Sequence, residues 1–116
     1  MMQDKYKKAD RKLVRNLAGV AWERQLRDEL NDIGCAIAEM QSGNLSPFDV
    51  NERVHQFHNG IAQELYNLYS GSDPWLSVCR AHFNGVLTDA DLVDASDSVR
   101  EGLQQFAQRI QEYNGI

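Results

Sequence analysis

Apolar residues recur along this chain in three ladders at steps of three and four: Trp22, Leu26, Leu30, Ile33, Ile37, Met40; Val50, Val54, Phe57, Ile61, Leu65, Leu68; and Leu92, Val99, Leu103, Phe106, Ile110, Tyr113. Side chains at that spacing share one face of a 3.6-residue turn, so the pattern predicts amphipathic helices and offers no alternating run for a strand. Local punctuation sets their ends. Ser46-Pro47 places a side-chain acceptor at an N-cap and proline at the first helical position, Asp73-Pro74 repeats the signal, and Thr88-Asp89 supplies a cap followed by first-turn acids. Ser42-Gly43-Asn44 and Ser70-Gly71-Ser72 supply glycine stops. The prediction is an all-α protein with helices over residues 5–41, 47–70, 74–86 and 89–113. Their short connections favour a small antiparallel four-helix bundle, and 1–116 read as a single domain.

The first predicted helix is not uniform. Leu13, Leu17 and Val20 cluster on one side, whereas the ladder from Trp22 to Met40 falls roughly opposite, taking about 100° per residue. Either the helix bends or breaks near residues 16–20, or one continuous helix packs its two ends against different things. Unbroken, it would span roughly 55 Å at 1.5 Å per residue, longer than the other helices, so residues 1–18 would protrude as an arm. Leu13, Val14 and Leu17 would then need a partner, and a second copy of the chain is the simplest one. Gly34, Gly60 and Gly102 stand beside ladder residues, and the Gly34/Ala38 pair is small enough to seat a crossing helix.

Charge refines this picture. The net charge of −5 combines a basic start, with Lys5, Lys7, Lys8, Arg11, Lys12 and Arg15 against Asp4 and Asp10, and an acidic remainder. An acidic body argues against the broad basic footprint of a nucleic-acid binder. No stretch reaches the roughly 18 consecutive apolar residues of a membrane helix, and the opening residues lack the apolar core of a signal peptide. Two cysteines, Cys35 and Cys79, are too few for a disulfide framework. These features predict a cytoplasmic protein with no membrane contact.

Candidate chemistry is sparse. His55-Gln-Phe-His58 and Cys79-Arg-Ala-His82 carry potential zinc ligands at i, i+3, but in a helical hairpin only His58 and His82 approach one level, while Cys79 points to a core stripe with Leu76, Phe83 and Leu87. Glu29-Leu-Asn-Asp32 has the E-x-x-D form with which MazG-type nucleotide pyrophosphohydrolases hold magnesium; the match covers four residues and lacks a second acidic pair nearby. Asp89, Asp91, Asp94, Asp97 and Glu101 read first as a solvated face. No serine or cysteine is placed with a histidine and an acid for nucleophilic catalysis, and no glycine-rich phosphate loop is present. Tyr66, Tyr69 and, across the turn, Trp75 form a candidate aromatic interface patch.

The sequence therefore predicts a helical interaction, adaptor or regulatory protein acting as a homodimer, with no catalytic residues and no cofactor. The expected interface residues are Leu13, Val14, Leu17, Tyr66, Tyr69 and Trp75. The alternative is a metal-dependent hydrolase or metal-binding module using Glu29 and Asp32, or His58 and His82.

Overall fold

The computed structural model describes residues 8–70 and 73–114; the predicted helix start at residue 5, with Lys5 and Lys7, lies outside them, as do Gly71 and Ser72. The described residues are helical without a strand. In order they form α1 (Lys8–Gln41), α2 (Pro47–Gln56), a π-helical turn (Phe57–Ile61), α3 (Ala62–Tyr69), α4 (Pro74–Phe83), a 3-10 turn (Asp89–Leu92) and α5 (Asp97–Asn114).

The chain gathers into two compact units, one holding residues 8–21 with 73–114 and the other residues 22–70. Helix α1 runs unbroken and contributes a segment to each, so the change of apolar face is resolved by continuity rather than by a break near 16–20. Its first segment does not overhang. Asp10, Val14, Leu17, Ala18 and Ala21 are buried and Leu13 is half-buried, while Val20 is exposed. In the second segment Ala36 is buried and Trp22, Gln25, Glu29, Ile33 and Met40 are half-buried.

In the first unit, α4 buries Ser77, Val78, Cys79 and Ala81, and α5 buries Val99 and Leu103. Of the core stripe predicted here, Cys79 and Leu87 are buried, whereas Leu76 and Phe83 are exposed and the small residues Ser77, Val78 and Ala81 face inward instead. Helix α4 also ends earlier than predicted. Gly85 takes φ +82, which lets the Val86 N–H return to the Ala81 carbonyl at 2.9 Å and closes the helix at Phe83. The helix predicted over 89–113 divides. Thr88 is the expected cap, made reciprocal with Asp91 as a capping box, but it opens a single 3-10 turn. Arg100 then folds back to donate to the carbonyls of Leu92, Val93 and Ala95, and the Ser96 hydroxyl accepts from the Val99 N–H at 3.3 Å to start α5.

The second unit is a helical hairpin. Helix α1 stops at Gly43, φ +88, where Asn44 N–H reaches the Glu39 carbonyl at 2.8 Å and the Asn44 amide reaches the Glu39 carboxylate at 2.8 Å. The Ser46/Asp49 capping box opens α2 with Pro47 at its first position. Contact between Trp22 and Tyr69 at the far end makes the two arms antiparallel. Midway along the second arm the Ala62 N–H bonds to the Phe57 carbonyl five residues back, the signature of a π turn. This wide turn carries an extra residue and rephases the arm, so that Leu65 and Tyr69 are the residues buried beyond it.

Candidate functional site

Two features of the hairpin set it apart from a closed core. The first is a groove of about 220 Å³ beside the π turn. Glu29 and Asp32 of α1 face Arg53 and Gln56 of α2 across it, and its apolar lining is Ile33, Phe57 and Ile61. The i, i+3 spacing of Glu29 and Asp32 puts both carboxylates on one side of α1, and the capped start of α2 sets the register that brings Arg53 to them. Gln56 is steadied by donating to the Glu52 carboxylate at 3.4 Å. Among the described residues no group of three or more His, Cys, Asp or Glu side chains is placed to hold a metal ion, and Arg53 supplies a positive charge where a further carboxylate would be needed.

The second feature is the flank of the hairpin carrying Leu30, Ile37 and Val54, which are 48%, 39% and 41% exposed. Leu26, Leu30, Ile33, Ile37 and Met40 follow steps of four and three, the spacing of a coiled-coil seam. Leu30 and Ile37 are turned from the covered stripe of α1 in the same rotational sense as Val54 from Val50 and Phe57, at about 100° per residue. In an antiparallel pair that sense leads to one shared side. Asp32 and Gln56 are turned the opposite way, so the groove opens on the other flank.

The remaining sequence-predicted residues are distributed as follows. Val14 and Leu17 are each only 5% exposed and are covered by their own chain. Tyr69 is buried in the hairpin, stacked on Trp22 with ring centroids 6.1 Å apart, and its hydroxyl donates to Gln25. Burial raises the Tyr69 phenol above its ordinary pKa. Tyr66 meets the edge of Trp22 at 6.1 Å and is exposed, while Trp75 lies half-buried in the other unit. His58 is exposed on the π turn; His82 belongs to α4, 3.4 Å from Asp89. Cys79 is buried, and desolvation, followed by the nearby Asp73 charge, pushes its thiol up to about 12, which removes it as a nucleophile. A methyl group in place of the Gly34 or Gly60 hydrogen would meet nothing within 4 Å, so neither glycine seats a crossing helix within the chain.

Sequence reasoning missed Arg53 and the π turn. An arginine seven residues after Ser46 carries no local signal, because its role depends on hairpin register. No helix among the described residues is long and apolar enough to cross a membrane. Comparison with known proteins found no matching family model, no matching curated protein and no matching solved structure.

Proposed function

We propose that this chain acts through protein–protein association, as a helical module that forms a homodimer by its hairpin. The observation carrying this reading is the half-open seam: Ile33 and Met40 are partly covered within the hairpin, whereas Leu30, Ile37 and Val54 are left to solvent. Two helices cannot enclose a heptad core on both flanks, and four can. A second hairpin presents the same residues in a self-complementary patch, as a two-fold interface requires. The surface assigned to self-association is thus the hairpin flank rather than Leu13, Val14 and Leu17. Both cysteines are free thiols, which supports a reducing, cytoplasmic setting.

Light scattering during gel filtration tests the reading. A mass near twice 13.2 kDa for the wild type, and near 13.2 kDa for a folded Leu30→Asp/Ile37→Asp variant, is expected. A wild-type mass of 13.2 kDa across the accessible concentration range overturns it.

A second reading, divalent-cation binding with hydrolytic chemistry, has one observation in its favour: Glu29 and Asp32 line the same groove. A thermal-shift series with magnesium, manganese and zinc separates the two. A rise with one ion that Glu29→Gln/Asp32→Asn abolishes supports it, because a ligand bound only by the native state stabilises that state.

A further inference from the structure

We propose that the groove beside the π turn binds a small zwitterion with an apolar side chain, of the chemical class of the aliphatic and aromatic α-amino acids. Its charges select this class. Glu29 and Asp32 repel a simple anion, Arg53 offsets part of their pull on a simple cation, and a zwitterion pairs with both signs at once. Among the described residues the side chains of Glu29, Asp32 and Arg53 form no ion pair, and Arg53 acts only weakly on Asp49, so a ligand can compete for these charges. The guanidinium takes the ligand carboxylate, a pairing suited to two parallel N–H···O bonds, and the two carboxylates take the ammonium.

Size and lining agree with the charges. At about 220 Å³ the groove lies below the usual range for drug-sized ligands and suits a molecule of few heavy atoms. Phe57 is half-buried and Ile61 is 37% exposed, so an apolar side chain laid on them and on Ile33 removes further apolar surface from water. The π turn begins at Phe57 and ends at Ile61, so both side chains depend on the one backbone irregularity of the arm, and such turns recur at binding sites. Because the site opens on the flank away from Leu30, Ile37 and Val54, it does not depend on self-association.

Titration of the 116-residue chain with L-leucine and L-phenylalanine, followed by amide chemical shifts, tests the proposal. Single-charge analogues, isopentylamine and isocaproate, serve as controls. Saturable shifts centred on Ile33, Phe57 and Ile61 are expected for the zwitterions, with binding about 10-fold or more weaker for either analogue and for Arg53→Gln or Asp32→Asn, as the loss of a charge-assisted contact implies. Leu30→Asp leaves the affinity unchanged, which separates failure of this site from failure of the homodimer. Unsaturable shifts shared equally by zwitterions and analogues, or wild-type affinity in a folded Arg53→Gln variant, overturn the proposal.

Discussion

Asp10 and Ser96, 86 positions apart in the chain, are joined by a hydrogen bond in which the Ser96 hydroxyl donates to the Asp10 carboxylate at 3.1 Å. The same hydroxyl oxygen accepts from the Val99 N–H, so one serine both caps α5 and anchors the beginning of α1. Asp10 is buried, and removing its donor leaves it underpaired. Ser96→Ala is expected to cost about 1–3 kcal/mol in urea unfolding, combining a lost cap with a lost buried bond. A double-mutant cycle with Asp10→Ala should show coupling, as contacting residues do.

Glycine substitutions should divide by sign. Gly43→Ala and Gly85→Ala force a Cβ into left-handed backbone and should destabilise by about 1–2 kcal/mol each. Gly34→Ala places its methyl in open space within the chain on an exposed helical face, and should stabilise by up to about 1 kcal/mol. Thermal or urea melts of the three variants check the contrast.

The two thiols should differ in reactivity. Cys35 is exposed and Cys79 buried, so Ellman's reagent at mildly alkaline pH should titrate one thiol in the native protein and two in denaturant. The native Cys79 thiol, at about 12, lies above its ordinary 9.0. Its contribution to stability is therefore complete below 9.0 and declines as pH rises toward 12, because the unfolded thiol ionises first.

Asp49 supplies the opposite pH response. Hydrogen bonds from the Ser46 backbone and side chain hold its carboxyl below the ordinary 3.8. Its contribution is present above 3.8 and lost as pH falls through the lowered native value. Acid unfolding of Asp49→Ala should lack this component, measured by helicity between neutral and strongly acidic pH.

Helix identity was legible because its signals are local. Ser46, Asp73 and Thr88 cap turns within three residues of themselves, and Gly43 ends α1 where a left-handed residue was expected. The divided fourth helix was not, since Leu92 and Val99 stand seven apart as on one helix, while the break between them rests on Arg100 and on distant Asp10. Burial was misjudged for a related reason. Large apolar residues define ladders, yet Ala18, Ala21, Ala36 and Ala81 are buried alongside Val78, Val99 and Leu103, while Leu30 and Ile37 remain open. Of the groove, only the Glu29/Asp32 pair could be seen along one helix; Arg53 reaches it through hairpin register.

The stacking of Trp22 on Tyr69 bears on how the chain folds. The first unit is discontinuous, its two parts separated by the whole hairpin. Closing a long flexible loop is entropically costly and slows folding, whereas the hairpin is built from neighbouring residues. Once its two arms zip, Trp22 and Tyr69 bring the ends of the intervening segment together, and residues 8–21 and 73–114 are delivered to each other already tethered at short range. The hairpin is in this sense an internal splint, and weakening the Trp22–Tyr69 stack should slow the assembly of a unit to which neither ring belongs.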